Sequence, residues 1–93
     1  MLDVHQLRIF IVAAETLNFS QAAKKLHMSQ PSITQHIHNL EERFQKPLFS
    51  RAKNQLGLTE AGVALLPLAM EMVNMSIRTE EIMQSLHGEV QGH

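Results

Sequence analysis

Residues 19–44 have the sequence FSQAAKKLHMSQPSITQHIHNLEERF. This stretch is the most informative about the fold, because it contains two helix patterns separated by a short connector. Ser20 is a good N-cap residue and predicts a short helix that ends near His27. The inner face of that helix consists of small and apolar residues, Ala22, Ala23 and Leu26. Ser29 is predicted to cap the next helix, with Pro31 in its first turn, where a missing N–H costs nothing.

The second of these helices has one apolar face and one polar face. Apolar residues recur at helical spacing and predict the core face: Ile33, Ile37, Leu40 and Phe44. At about 100° per residue, the side chains that point away are Pro31, Ser32, Gln35, His38, Asn39 and Glu42. Two helices joined by a tight turn, with a polar outer face on the second, form the helix-turn-helix arrangement that enters a DNA major groove. A merely solvated polar face is the alternative interpretation.

The flanking segments predict a first helix and a small hairpin. Apolar spacing indicates a helix over residues 4–16. Residues 48–51 and 55–58 read as two short strands joined by a polar turn at residues 52–54. The predicted fold is therefore mostly α, a winged helix-turn-helix with a three-helix head and a small β-hairpin wing, followed by a long linker or dimerisation helix.

This long helix is predicted to run from its cap at Thr59 to about Leu86, with a local bend at Pro67. Alternating spacings of three and four predict a coiled-coil seam through which two copies pair: Leu65, Leu68, Met72, Met75, Thr79, Ile82 and Leu86. A second stripe is expected either to pack on its own head or to widen the pairing face: Leu66, Met70, Val73 and Ile77. The alternative to a homodimer is a single helix folded over its own head.

The charge is unevenly distributed along the 93 residues, although the net charge is only −1. Residues 1–59 carry seven basic and four acidic side chains, a net charge of +3, whereas residues 60–93 carry one basic and five acidic, a net charge of −4. This division predicts a head that meets phosphate and a tail that meets protein, with solvated charged faces as the alternative. The predicted phosphate and wing contacts are Lys24, Lys25, Arg51, Lys53 and Asn54.

Several functional classes are not supported by the sequence. There are no cysteines, and His36 and His38 lie two apart on a helix and point to opposite sides, so no metal site or cofactor is predicted. No Ser-His-Asp order or phosphate-cradling glycine loop is present, so we expect no enzyme activity. The run Ile9–Ala14 is too short to span a bilayer and no secretory signal is recognised, so a cytoplasmic protein without a membrane partner is expected.

The order FSQAAKKLHMSQPSITQHIHNLEERF, then PLFSR, then LTEAG, resembles the N-terminal domain of LysR-type transcriptional regulators from Leu7 through the long helix. The resemblance implies DNA contacts at the positions of Ser29, Gln30, Ser32, Thr34 and Gln35, and a wing anchored by Arg51. It also implies that the linker helices pair antiparallel. Family members often have a basic residue in place of Gln35 or His38, and glycine or arginine in place of Lys53, Asn54 and Gln55.

The expected organisation follows. Residues 1–58 form the winged helix-turn-helix domain and residues 59–87 the linker helix. Residues 88–93 form a flexible end that begins a linker to an effector domain absent from this chain, where a small-molecule effector would bind. The predicted function is sequence-specific binding of double-stranded DNA by a bacterial transcription regulator, as a homodimer on an interrupted inverted repeat. For a full-length protein, a tetramer is the alternative to the homodimer. The alternative is a helical protein-interaction module without DNA specificity.

Overall fold

The computed structural model describes the backbone of residues 1–91 and the side chains of residues 1–86. In chain order its elements are α1 (Val4–Thr16), α2 (Phe19–Leu26), α3 (Gln30–Phe44), β1 (Phe49–Ala52), β2 (Gln55–Leu58) and α4 (Glu60–Gln91). The three short helices and the antiparallel hairpin form a winged helix-turn-helix head, so the predicted fold class is confirmed.

The helix starts follow from capping side chains, with one correction to the sequence prediction. Asp3 caps α1 and Ser29 caps α3, where the Ser29 hydroxyl accepts from the Ser32 N–H at 3.2 Å. The cap of α2 is Asn18 rather than Ser20. Asn18 has extended backbone angles, and its side-chain oxygen accepts from the Gln21 N–H at 3.0 Å. Ser20 therefore lies inside α2, where its hydroxyl is available to another partner.

The first three helices all end at a non-glycine residue in the left-handed conformation. These residues are Leu17, His27 and Gln45, with φ angles of 49°, 55° and 55°. The backbone N–H of each turns back to carbonyls of the last helical turn. Helix α3 thus ends at Phe44, with Gln45 as its C-cap. Glycine is the usual residue at such a helix end. Because these three positions are not glycine, the sequence does not mark where the helices end.

The wing is a two-stranded hairpin whose register pairs Phe49 with Leu58 and Ala52 with Gln55. Its turn consists of Lys53 and Asn54, both with positive φ, as the tight two-residue hairpin turn requires. The second strand lies where predicted, but the first begins one residue later. Leu48 does not join the ladder, because its N–H donates to the Glu41 carboxylate and its carbonyl accepts from the Thr59 N–H.

Aromatic packing fixes the wing to the head. The Phe49 ring lies edge-on to Phe10 of α1 and to Phe19 at the start of α2, with ring centroids 5.6 and 5.2 Å apart. Aromatic pairs in this geometry contribute about 0.5–1.5 kcal/mol beyond the area that they bury. The position of the wing relative to the helices is therefore set by packing at its base rather than by the exposed turn.

The hydrophobic core extends beyond the head into α4. Ile33, Ile37 and Leu40 of α3 are buried as predicted. Leu65, Ala69 and Val73 of α4 are also buried, against α1. The predicted seam is wrong at Leu65, which is 9% exposed and packs in its own head. The boundary expected after residue 58 therefore separates two elements but not two cores.

Helix α4 is continuous through Pro67 and extends to Gln91, five residues beyond its predicted end near Leu86. Residues 88–91 of the expected flexible end thus belong to the helix backbone, and residues 92–93 lie outside the described residues. Between Glu60 and Leu86 the helix is long and apolar enough to cross a membrane by length and composition. This apolar length of α4 was not predicted from the sequence. The packing of its first half on α1 instead favours a helix of a globular domain.

Candidate nucleic-acid interface

The outer face of α3 is an exposed, mainly polar surface. Gln30, Pro31, Thr34, Gln35 and His38 line one shallow groove of about 450 Å³. All five were predicted to contact DNA, and the structure brings them together because the opposite face of α3 is held in the core by Ile33, Ile37 and Leu40. The amphipathic pattern of the helix alone thus determines which face is available.

The wing extends this surface along α3. Arg51 shares one groove with Thr34 and His38, and a second groove with Gln30 and Asn54. A guanidinium group beside the polar face of a helix can neutralise phosphate while the helix lies in a groove. We call the set formed by Gln30, Pro31, Thr34, Gln35, His38, Arg51 and Asn54 the recognition surface.

Two side-chain hydrogen bonds orient amides on the recognition surface. The Gln35 side-chain NH₂ donates to the Asn39 amide oxygen at 3.0 Å. The Ser20 hydroxyl of α2 donates to the Gln30 amide oxygen at 2.8 Å. A primary amide has two N–H donors and one acceptor oxygen, so each bond determines which groups remain for a ligand.

The remaining predicted contacts of α3 lie at its start or beside Gln35. Ser29 caps the helix, and Ser32 is half-buried one turn later. Backbone N–H groups in this first turn have no partner within the helix, and together with the helix dipole they favour an anion such as phosphate. Ser29, Ser32 and Asn39 therefore border the recognition surface, and their DNA contacts remain predictions.

The three predicted lysine contacts occupy different places. Lys53 is exposed in the hairpin turn, next to Asn54. Lys24 and Lys25 lie in the last turn of α2, where a positive charge interacts favourably with the helix dipole. Lys25 lines a separate concavity with Arg8 of α1. The structure thus does not bring Lys24 and Lys25 onto the recognition surface.

Sequence reasoning missed Glu41, which connects α3 to the wing. Its carboxylate accepts from the N–H of Leu48 at 2.8 Å and from the N–H of Phe49 at 3.4 Å. Charge-assisted bonds of this kind are stronger than neutral ones and fix the direction in which the chain leaves α3. No local signal distinguishes Glu41 from the exposed Glu42 beside it, apart from its position on the flank of the core stripe.

The structure also brings two histidines together that are far apart in sequence. The rings of His5 on α1 and His36 on α3 lie edge to face with centroids 5.5 Å apart, and His36 Nδ1 is 3.1 Å from the Gln6 amide nitrogen. Within the described side chains, no group of three or more metal-ligating residues lies close enough to hold an ion. The pair packs α1 against α3.

A second exposed surface lies on α4 and is apolar. Of the predicted seam residues, Leu68, Met75, Ile82 and Leu86 are 49–57% exposed, and Met72 packs partly against the core. Thr79 lies on the same face, and its hydroxyl donates to the Met75 carbonyl at 2.7 Å, so this polar member of the seam is satisfied within its own helix. We call these four large apolar residues together with Thr79 the pairing face. Among the side chains of residues 1–86, this apolar stripe has no packing partner.

Known proteins resemble the chain over this whole architecture. Residues 4–63 match the model of the bacterial regulatory helix-turn-helix protein, lysR family. An uncharacterised HTH-type transcriptional regulator of Azotobacter vinelandii is 40% identical over 98% of this chain and 63% of its own length. The Hca operon transcriptional activator HcaR of Escherichia coli K12 is 38% identical over 89% of this chain and 29% of its own. The chain thus spans less than two thirds of these relatives.

Solved structures give the same result. The DNA-binding domain of CbnR in complex with DNA is 34% identical and has a TM-score of 0.85, covering 92% of this chain and 99% of its own. Full-length CbnR, a LysR family transcriptional regulator, has the same TM-score and covers 90% of this chain but 29% of its own. Both the family model and these relatives confirm the resemblance found from the sequence. The chain belongs to the LysR family of bacterial regulatory helix-turn-helix proteins.

Proposed function

We propose that the chain is the DNA-binding and dimerisation part of a transcription regulator, which reads double-stranded DNA with α3 and contacts phosphate with the wing. The observation that carries the proposal is the recognition surface, where the polar face of a capped helix and the Arg51 guanidinium border the same grooves. Its likeness to a domain solved on DNA supports this proposal.

Base reading is assigned to Gln35 on chemical grounds. Its side chain is exposed on the outer face of α3, and its amide oxygen remains available because the bond to Asn39 uses only one N–H. A glutamine amide pairs bidentately with N6 and N7 of adenine and discriminates against other bases by about 1–3 kcal/mol. Arg51 and Lys53 would contribute attraction to phosphate without regard to sequence.

The proposal includes a homodimer formed through the pairing face. Large apolar side chains that are about half exposed in one copy would be covered by the α4 of a second copy, which offers the same stripe. A two-fold dimer presents two copies of α3, so the target is an interrupted inverted repeat with half-sites about 34–36 Å apart, or a multiple of that distance.

The wider setting follows from these partners. A regulator that binds chromosomal DNA in a bacterium acts in the cytoplasm, and we propose that location. The chain is proposed to act by binding DNA and a second copy of itself, without a cofactor and without catalysis.

Selection from a random duplex library tests the proposal. The purified chain is incubated with the library at moderate salt, and the retained DNA is sequenced. Enrichment of an inverted repeat is expected. Retention without enrichment would show that the head binds phosphate and would contradict sequence-specific reading. No retention at all would contradict DNA binding.

Two variants separate base reading from phosphate contact. Gln35→Ala is expected to weaken binding to the enriched site by about 1–3 kcal/mol and to change binding to random DNA little. Arg51→Ala is expected to weaken binding to all sequences alike and to reduce the salt dependence of the affinity. Equal losses on both DNAs for Gln35→Ala would show that Gln35 does not read a base.

The unpartnered apolar stripe of α4 favours one alternative function, a protein-interaction module in which the polar face of α3 is merely solvated. Salt distinguishes the two functions. DNA binding weakens steeply with added salt because counterions are released, whereas an apolar contact is unchanged or strengthened. Binding that survives high salt would favour the alternative.

A further inference from the structure

The side chain of Gln30 is held by a residue of the neighbouring helix. Gln30 is the first residue of α3, and Ser20 is the second residue of α2. The Ser20 hydroxyl donates to the Gln30 amide oxygen at 2.8 Å, so that oxygen is directed at α2. The amide NH₂ lies on the other side of the same carbon and keeps both of its donors for a ligand.

The amides of Gln30 and Gln35 are oriented by different groups: Gln30 by its oxygen and Gln35 by its NH₂. Gln35 uses an N–H in its bond to Asn39, and its oxygen remains available as an acceptor. The Gln30 oxygen is directed at the Ser20 hydroxyl of α2, and both of its N–H donors remain available. Two glutamines on one recognition surface therefore offer different chemistry, although their side chains are identical in the sequence.

The surroundings of Gln30 place this donor group where DNA would lie. Gln30 borders the groove on the face of α3 together with Gln35, and also the groove that contains Arg51 and Asn54 of the wing. Water is excluded from such a surface when it is covered, and a buried amide whose groups do not match its partner is then costly. The orientation set by Ser20 thus determines which base edges Gln30 can face.

We propose that Ser20 is a positioning residue that makes Gln30 a donor-only reader of base-edge acceptors. In the major groove guanine presents N7 and O6 as acceptors and thymine presents O4, whereas cytosine presents only an amino donor and adenine places an amino donor beside N7. Gln30 therefore selects guanine or thymine at the position that it contacts. The inference rests on the proposed DNA-binding function and adds a base preference to it.

Phosphate oxygens are also acceptors, and the test must separate them from base edges. Single base-pair substitutions are made across the site enriched by library selection, and each is measured with the intact chain and with Gln30→Ala. The position that Gln30 reads is the one at which Gln30→Ala removes the difference in affinity between the four bases. Guanine or thymine is expected there in the intact chain.

Ser20→Ala then tests the positioning role, since it allows the Gln30 amide to rotate and accept from an amino group. At the Gln30 position, the penalty for adenine or cytosine is expected to fall by about five- to tenfold, and preferences elsewhere are expected to remain. Ser20→Thr keeps the hydroxyl and is expected to retain the original preference. Ser85→Ala, which removes an exposed hydroxyl of α4 outside the recognition surface, is the matched control.

Three results would overturn the inference while the proposed function stands. These are a preference for adenine or cytosine at the Gln30 position in the intact chain, an unchanged profile in Ser20→Ala, and a loss in Gln30→Ala that is uniform over all sequences. The last result would place Gln30 on phosphate. If the intact chain enriches no sequence at all, the proposed specific reading fails, and the inference fails with it.

Discussion

Replacing Gly62 by alanine tests how closely α4 approaches the wing. Gly62 lies in the first turn of α4, and a Cβ at this position would be 2.2 Å from the carbonyl oxygen of Leu48 and 2.9 Å from a methyl carbon of Leu58. The Leu48 oxygen cannot simply move away, because it accepts from the Thr59 N–H at 3.0 Å. The start of α4 must therefore separate from the wing by about 1 Å to reach ordinary contact distance.

The magnitude follows from two opposing effects. Alanine is favoured over glycine inside a helix by about 1 kcal/mol, so propensity alone predicts a more stable protein. Overpacking against backbone typically costs about 1–3 kcal/mol. The separation also weakens, without breaking, the hydrogen bonds of Thr59 to Pro47 and Leu48, which removes only a part of the about 0.5–1.5 kcal/mol that each contributes. We therefore expect Gly62→Ala to lower the free energy of unfolding by about 1–3 kcal/mol.

Thermal unfolding at a fixed protein concentration measures this change, since the stability of a dimer depends on concentration. A loss of that size lowers the Tm by about 5–20 °C in a domain of this length. Gly57→Ala is the matched control, because nothing lies within 4 Å of the added Cβ and the glycine does not have positive φ. The control is expected to stay within about 0.5 kcal/mol of the parent. A Gly62→Ala chain that is more stable than the parent would contradict the close approach of Gly62 to the Leu48 carbonyl oxygen.

Three further predictions concern a helix end, the wing and the pairing face. Gln45→Gly replaces a side chain on a left-handed backbone and should raise the free energy of unfolding by about 1 kcal/mol relative to Gln45→Ala in urea titration, since both variants lose the bond from the Gln45 amide to the Glu42 carbonyl; a glycine variant less stable than the alanine variant would contradict the left-handed φ. Glu41→Ala should destabilise the fold by about 2 kcal/mol and weaken DNA binding, whereas Glu41→Gln should restore part of both; equal effects would show that its acceptor oxygen is unimportant. Ile82→Glu should shift sedimentation toward monomer, and Val63→Glu, exposed on another side of α4, should not.

The local elements could be predicted because their causes are local. Ser29 caps α3 through a bond to a residue three positions away, and the core stripe of Ile33, Ile37 and Leu40 follows from helical spacing alone. The predicted face of α3 therefore lies on the surface in the structure. The family could also be identified, because the motifs are contiguous and cover most of the chain.

Element boundaries were less accurate where two local signals compete or where the usual signal is missing. Asn18 and Ser20 are both good caps, and the side chain that accepts from a first-turn N–H is that of Asn18. Gln45, the C-cap of α3, has a left-handed conformation that sequence rules assign to glycine. At both positions the residue type alone does not identify the helix boundary.

The helices, the hairpin and the polar face of α3 are predictable from the sequence, because each depends on residues within a few turns of one another. The place of Leu65 in the core rather than on the pairing face becomes clear only from the packing of α4, since its spacing fits both Leu68 and Ala69. The tertiary structure also shows that Ser20 orients Gln30 and that Glu41 holds the wing. These contacts join different elements, and their geometry depends on how those elements pack against one another, which periodicity along one element does not contain.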